Sequence, residues 1–585
     1  MRDPQRRTRL PRFDRGFFAS GRSFCQIGEG EIGGKAQGLV LVDDTLREEF
    51  AHERFPHSEV RIPSTVVLST DVFDAFVARN GLTEIALSDD PDYKIAQAFQ
   101  AGSLPAEYIG DLQSFVDQVR IPLAVRSSSL LEDALERPFA GVYETKMTPN
   151  NQADPAERFR KLIEAIKFVY ASTFFRAAKS YRAATGHGPD DERMAVVLQE
   201  VVGSRRWNRH YPVLSAVGRT YNYYATGSAE PEEGVVSLAL GLGKTIVDGG
   251  ACWTYSPKHP AAPPPYGSTS DLLRYSQNRF WAVELGSLIK PYDPILETEF
   301  LTEGDLGDAE SDGVLEHVAS TVDPQSDRIV SGTSQRGPRV VNFAPLLKRS
   351  DREFNDVVER LLAVSRARLN ADVEIELAID MSRERARDLF GFLQVRPMMV
   401  SDRSVSLGDD ELARDDLLLA SSLVVGNGIL ETVQDVVYVK PAAFQPGQTH
   451  PIAGELAGIN AMLVDEGRPY LLLGFGRWGS TDPWGGVPVV WGQISGARVV
   501  VEASLPDFRA DPSQGSHFFH NVTSLGILYF SMDERDRAVD WGWLDAHAAR
   551  AETAHVRHVR LDRPLLVKVD GRRRRGAVWT STHQE

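Results

Sequence analysis

The chain has 585 residues, 42% hydrophobic, 25% charged and 9% aromatic, the proportions of a globular protein and not of a disordered or collagenous one. At about 150 residues per domain this length corresponds to roughly four structural units. The 65 Lys+Arg against 81 Asp+Glu leave a formal charge of −16, which gives no general attraction for nucleic acid, and no stretch approaches the ~18 consecutive apolar residues of a membrane span.

The N-terminal segment MRDPQRRTRLPRF is basic but lacks the apolar stretch and small-residue cleavage site of a secretory signal. Two cysteines, Cys25 and Cys252, make neither a disulfide framework nor, by themselves, a structural zinc site. The expectation is a soluble cytoplasmic protein. From residue 20 short β-rich runs alternate with helical patterns, as in an α/β protein. FCQI leads through a glycine-rich turn, GEGEIGG, into a helix; IPSTVVLST reads as a strand; DVFDAFVARN is a helix with Asp71 near its N-terminus. Residues 92–118 read as two helical pieces broken near Leu104-Pro105, PLAVRSSS as a buried strand ending in serines, and about 155–183 as one long amphipathic helix. The strands MAVVLQEVV, YPVLSAVGR and GVVSLALGLG follow, then a Pro-rich surface connection at 257–265. After a helix at about 352–370, VEIELAI and FGFLQVRPMMV pair as a hairpin across the charged loop MSRERARD. Residues 401–416 read as a polar linker and 417–585 as a separate α/β domain. The run Arg572 to Arg575 lies between VKV and AVW and reads as a solvated hairpin tip, with nucleic-acid contact the minor alternative.

Backbone N–H groups at a glycine turn before a helix make a ready anion site. ALGLGKT fails as a P-loop, because the glycine required five positions before Gly243 is Leu238. Of two G-x-G-x-x-G matches, Gly474/Gly476/Gly479 is followed by STDPWGG, which cannot open a helix; Gly28/Gly30/Gly33 does precede a helix but is weak as a lone dinucleotide signal. More informative are polar groups at strand and helix ends. Lys35 starts a helix, where a cation fails to compensate the dipole unless an anion is bound. Arg126 ends the apolar strand LAVR, a costly place for a guanidinium that phosphate would pair well. Each also fits a plainer reading: a surface lysine, and an arginine paired with Glu132 or Asp133. In VEIELAI, Glu374 and Glu376 are two apart and share a strand face, where they repel unless a cation bridges them; oxygen ligands of this kind suit magnesium. Gln394 and Arg396 in LQVRP share a face of the partner strand. Two carboxylates, an amide and a guanidinium on one hairpin surface make a Mg²⁺–phosphate site.

GGKAQGL, IPSTVVLST, AVRSSSLLED with PFAGVYET, YASTFFRAAKSYR, AVVLQEVV, GLGK, VEIELA and LQVRP, in that order over roughly residues 20–400, resemble the ATP-grasp nucleotide-binding domain of pyruvate phosphate dikinase, phosphoenolpyruvate synthase and rifampin phosphotransferase. The resemblance implies an ATP-grasp fold whose two lobes enclose a nucleotide, drawn here at 1–120 and 121–400, and an enzyme that splits ATP to phosphorylate a histidine on a mobile domain. Carried over, Lys35 and Arg126 hold phosphates; Gly141 and Thr145 belong to the flap above them; Gln199, Glu200 and Val202 lie on the strand whose backbone meets the adenine edge. Glu376 binds Mg²⁺, with Glu374 where the family commonly has aspartate, and Gln394 and Arg396 lie near metal and phosphates. Lys35, Arg126 and Arg396 form the implied catalytic set, since phosphoryl transfer needs positioning and charge neutralisation above all.

The chain also departs from the family. Lys244 in GLGK stands where relatives usually carry an acidic residue, and no clear phosphohistidine motif or phosphoenolpyruvate barrel follows residue 400. THPIAGEL, with His450, reads as a helix start capped by Thr449 with Pro451 in the first turn; His517 and His520 are a second candidate pair, beside an apolar Phe-Phe. Arg477, Trp478, Asp482 and Trp484 fit a ligand pocket or a packed loop equally. The C-terminal text resembles bacterial proteins known only for carrying the same ATP-binding domain. The expected activity is ATP- and Mg²⁺-dependent phosphoryl transfer to a histidine, on this chain or a partner protein, or to a small acceptor. No nucleic acid or membrane partner is expected, and oligomeric state is open. The competing reading is a nucleotide-sensing module without turnover; a third, weaker one is an oxidoreductase using Gly474/Gly476/Gly479.

Overall fold

The apolar runs that lack strict alternation are sheet interiors. In the computed structural model all four residues of both Phe24–Ile27 and Thr65–Leu68 are buried, as expected of strands covered on both faces. The structure describes residues 10–580 apart from 52–53, 133–140, 186, 189–191, 224, 226–228, 263–267, 287–292, 324–325, 327, 349–352, 382–386, 399, 401–404, 481–483, 506–507, 509–521, 523–525, 533–535 and 572. The chain divides into two units, one of Met1–Ala178, Gly188–Tyr221 and Glu232–Pro397, the other of Lys179–His187, Asn222–Pro231 and Met398–Glu585.

Two of the first unit's sheets position the candidate site. One runs Phe24–Ile27, Thr65–Leu68, Met194–Glu200, Leu123–Ser129, Thr145–Thr148, its first pair parallel and the others antiparallel. The other runs Trp253–Tyr255, Val235–Leu240, Leu214–Arg219, Val373–Asp380, Asp388–Pro397, Ser58–Arg61, antiparallel except for the last pair. The hairpin Val373–Asp380/Asp388–Pro397 sets Glu374 opposite Arg396 and Glu376 opposite Gln394, on the one surface the two-residue spacing predicts.

The helix Gly33–Glu49 ties the two sheets together. Its Ala36 packs with Val67, Ala195 and Val197 of the first sheet. Leu39, Val42 and Leu46, spaced for one helical face, join Val236, Leu238, Ile375 and Phe392 of the second sheet and Val357, Val358 and Leu361 of the helix Phe354–Leu369. The wedge fits because two of its residues lack Cβ: one on Gly33 would lie 1.7 Å from Ser128 O, and one on Gly38 2.7 Å from Val395 O.

Three boundaries differ from expectation. The long helix expected at 155–183 is two, Pro155–Ser172 and Arg176–Thr185. Between them Phe174 turns in to meet Phe73 and Phe99, Phe175 meets Phe168, and Asp92 Oδ1 accepts the Arg176 N–H at 2.8 Å. The lobe boundary drawn at 120 cuts through the first sheet, which takes strands up to Glu200, because its central strand is the last to be made. The stretch 401–416 is partly built into the second unit: Leu407 is buried with Leu417, Leu566, Ala577 and Trp579, and the short helix Asp409–Leu412 is held by a Glu411–Lys568 pair at 2.5 Å.

The second unit carries a seven-stranded sheet, in the order Leu423–Val425, Leu528–Ser531, Ala497–Ala503, Tyr470–Phe475, Asp435–Val439, Val556–Arg560, Ala549–Glu552. Its second to fifth strands are mutually parallel. A four-stranded sheet contains the hairpin Leu566–Asp570/Arg575–Trp579, whose tip holds Arg573 and Arg574 as expected. Both cysteines are free, and no helix among the described residues is long and apolar enough to cross a membrane.

Gly33 has φ +73°. Gly33→Ala therefore combines left-handed strain with a backbone clash and is expected to destabilise the first unit by about 2–4 kcal/mol, read as a lower urea midpoint at unchanged m-value.

Candidate functional site

The helix start, the strand end and the hairpin meet between the two sheets. Lys35 sits in the first turn of Gly33–Glu49. Its ammonium donates to Glu132 Oε1 at 2.6 Å and to Ser127 Oγ at 3.0 Å. Lys35 is thus not a plain surface lysine: its side chain is 14% exposed, and Glu132 is 1% exposed. Glu132 also accepts from Ser127 Oγ at 3.1 Å and from the Ser129 N–H at 3.2 Å. One ammonium hydrogen of Lys35 has no acceptor among the described residues.

Arg126 pairs across the cleft and not with Glu132; Asp133 lies outside the described residues. Its Nη1 donates to Leu393 O at 3.0 Å and Gln199 Oε1 at 3.4 Å, and its Nη2 to Gln394 Oε1 at 2.6 Å and Glu376 Oε2 at 3.1 Å. Glu376 Oε1 has no hydrogen-bond donor among the described residues. Gln199 is buried and donates to Thr65 Oγ1 at 3.2 Å.

Glu374 departs from its expected role. Both its oxygens are engaged by guanidinium groups, Oε2 by Arg219 Nε at 2.5 Å and Oε1 by Arg396 Nε at 2.9 Å and by Arg396 Nη2. All three residues are buried. The repulsion expected between Glu374 and Glu376 is relieved by arginines, and Glu374 serves as the anchor of Arg396 in place of a metal ligand. Arg219 was missed from sequence, although it ends an apolar strand, YPVLSAVGR, just as Arg126 ends LAVR. Lys35 pairs with Glu132, Arg126 with Glu376, and Arg219 and Arg396 with Glu374, so the cleft gathers several cations, a concentration that suits a polyanion.

Of the two residues expected in the flap, Thr145 is placed beside Arg126 as its register partner, and Gly141 has φ +65°. Tyr143 and Ser129 both donate to the buried Glu192, a partner not legible in the sequence. Glu200 ends the central strand, its N–H donating to Ser64 O at 3.2 Å, and Val202 is buried against Ala378 and Leu389. Lys244 begins the short helix Lys244–Val247 and pairs with Glu297 at 3.0 Å and Asp248 at 3.1 Å. Burial, helped by Glu297 and opposed by Lys244, pushes the Glu144 carboxyl up to about 7.

The G-x-G-x-x-G turn already holds an anion of its own. Asp71 accepts the N–H groups of Glu29 at 2.9 Å and Gly30 at 2.8 Å, and Thr70 Oγ1 that of Glu31 at 3.1 Å. Burial pushes the Asp71 carboxyl up, but hydrogen bonds from Ser69 and these N–H groups outweigh it and hold it below its ordinary value. The turn is therefore structural and no dinucleotide cradle. In the second unit Gly476 and Gly479 lead into no helix among the described residues; Trp478 is buried and Trp484 exposed, and Asp482 lies outside the described residues.

His450 is exposed at the start of His450–Asp465 with Pro451 behind it, but Thr449 makes no capping hydrogen bond, being buried with a helical backbone. His517 and His520 lie outside the described residues. Two histidines not singled out from sequence are held by carboxylates: His555 Nδ1 by Glu455 Oε1 at 2.7 Å, and the buried His558 Nε2 by Asp435 Oδ1 at 2.8 Å. Arg468 and Arg560 also donate to Asp435, holding its carboxyl down at about 2 against the effect of burial.

Residues 29–261 match the family model described as pyruvate phosphate dikinase, AMP/ATP-binding domain. The chain is 30% identical over 134 residues to a phosphoenolpyruvate synthase of Aeropyrum pernix, covering 23% of this chain and 14% of that protein. To the phosphoenolpyruvate synthase of Escherichia coli (strain K12) it is 26% identical over 208 residues, 32% of this chain and 24% of that one. To that of Neisseria meningitidis serogroup B it is 26% identical over 239 residues, 37% and 27%. The matches thus span at most about a quarter of these relatives' length. The chain carries the N-terminal nucleotide-binding domain of the pyruvate phosphate dikinase/phosphoenolpyruvate synthase family, on an α/β framework of the ATP-grasp type.

Two outcomes test the electrostatics. Lys35→Ala strands the Glu132 carboxylate in the interior and is expected to cost about 3 kcal/mol of stability; Lys35→Ala/Glu132→Gln recovers part of that loss in urea denaturation. Glu144 binds its proton more tightly folded than unfolded, so from pH 4.5, its ordinary value, up to about 7 the folded state holds more protons and stability falls as pH rises. Melting curves of Glu144→Gln lack that decline between pH 5 and 7.

Proposed function

We propose that the first unit binds ATP with Mg²⁺ between its two sheets and transfers a phosphoryl group to a histidine or a small acceptor. The observation that carries this reading is the convergence of Lys35, Arg126 and the hairpin oxygens of Glu376 and Gln394 on one cleft. Lys35 offers its third ammonium hydrogen to a phosphate oxygen. Arg396, pinned by Glu374 and through it by Arg219, presents a fixed guanidinium to the same polyanion. Thr145 and Gly141 close over the phosphates from the strand beside Arg126, and Gln199, Glu200 and Val202 line the base.

The donor set fits a hard divalent cation. Glu376 keeps one oxygen without a donor, and its other oxygen and Gln394 Oε1 already converge on a single positively charged nitrogen, Arg126 Nη2. Glu374 is engaged elsewhere and supports the site indirectly. When bound, the metal would neutralise charge on the phosphate oxygens.

Among the described histidines His555 is the best prepared acceptor on this chain. Glu455 fixes its Nδ1 proton and leaves Nε2 as the nucleophilic nitrogen, and its side chain is 26% exposed. Phosphorus NMR of the full chain with Mg-ATP is expected to show AMP or ADP appearing, with a phosphate adduct in the intact-protein mass or transfer to an added acceptor. Glu376→Gln is expected to abolish both while the far-UV spectrum stays native. ATP that binds and stays intact would instead support a sensing module.

A further inference from the structure

All four hydrogens on the two Nη atoms of Arg126 are already in use: two on Nη1 for Gln199 Oε1 and Leu393 O, two on Nη2 for Glu376 Oε2 and Gln394 Oε1. A guanidinium grips phosphate through a pair of its hydrogens, and with only the Nε–H outside these bonds this one cannot form such a pair until an existing partner lets go. Lys35 is different, because it retains an uncommitted hydrogen. The two cations that sequence treats alike are therefore in different states.

The partners of Nη2 identify what releases it. They are the carboxylate and the amide that make up the cation seat, and Arg126 Nη2 occupies the point on which they converge. A divalent cation there takes both oxygens from Nη2 in one event and repels the guanidinium besides. We propose that Arg126 is the resident counter-cation of the metal seat, and that metal binding transfers it from Glu376 and Gln394 to the nucleotide phosphates. Given the nucleotide reading of the cleft, on which this rests, metal and nucleotide bind cooperatively because Arg126 cannot serve both. The exchange also acts between the sheets: Arg126 belongs to one, and Glu376, Leu393 and Gln394 to the other, so the metal breaks a latch that holds the unliganded cleft together.

The test is calorimetric titration of the full chain with the imido analogue of ATP, in EDTA and in MgCl₂. Lys35→Ala is expected to weaken binding in both. Arg126→Ala is expected to weaken it about tenfold or more in Mg²⁺ but less than about twofold in EDTA. Equal losses for Arg126→Ala in the two conditions would overturn the proposal and leave the nucleotide site standing; no binding by the parent chain in either condition would remove the nucleotide reading itself. Metal alone provides a second readout. Mn²⁺ followed by electron paramagnetic resonance should bind Arg126→Ala about fivefold or more tighter than the parent, since the competing cation is gone; equal or weaker binding overturns the exchange. Should Arg126→Ala fail to fold, Arg126→Lys keeps the charge but loses the fork that spans Glu376 and Gln394, and is expected to show the same ordering in the nucleotide titrations; equal losses in EDTA and Mg²⁺ overturn the proposal.

Discussion

The first unit is organised around the need to keep buried charge paired. An uncompensated ammonium or guanidinium in this interior costs several kcal/mol, and the cleft collects Lys35, Arg126, Arg219 and Arg396 within one region. Each is answered by a carboxylate on a neighbouring element, and those answers dictate where the elements sit. Glu132 holds the start of the helix Gly33–Glu49 against Leu123–Ser129; Glu376 and Gln394 hold the hairpin against the same strand.

The apolar core makes that arrangement affordable. The helix Gly33–Glu49 shares its residues between the two sheets' clusters, and its glycines let it approach two strands closely enough for Lys35 to reach Ser127 and Glu132. Pairing of this kind orders a site more than it stabilises a fold. On the proposed reading a polyanion and a divalent cation enter by exchange of partners: phosphate competes with Glu376 for Arg126, and metal competes with Arg126 for Glu376. Membership of a nucleotide-binding family agrees with a site built from exchangeable ion pairs.

Much of this was legible in the chain. That Glu374/Glu376 and Gln394/Arg396 share one hairpin surface followed from their two-residue spacing, because side chains of a strand alternate faces; which faces which came from the pairing. The apolar run made the strand legible, although it continues past Arg126 through the serines to Ser129. What spacing cannot tell is which opposite charge a side chain chooses. Glu374 and Glu376 look equivalent, yet one is enclosed by Arg219 and Arg396 while the other keeps an oxygen toward the cleft. Arg219 lies 155 positions from Glu374, so only the pairing of Leu214–Arg219 with Val373–Asp380 brings them together. The split of the helix at 173–175 was hidden for a similar reason, since helical periodicity runs through YASTFFRAAKSYR and tertiary packing of Phe174 and Phe175 interrupts it.

The sequence by itself determined the class of fold, the order of the strands and helices around the cleft, and the residue types that face one another there, because these depend on local periodicity and on motifs of neighbouring residues. Tertiary structure alone decided the state of each charge: Lys35 left with one hydrogen to offer, both Nη groups of Arg126 engaged, Glu374 spent on arginines, the glycine turn filled by Asp71. Those outcomes depend on distances between elements far apart in the chain, and a Coulomb interaction is set by distance and burial, which residue order does not encode.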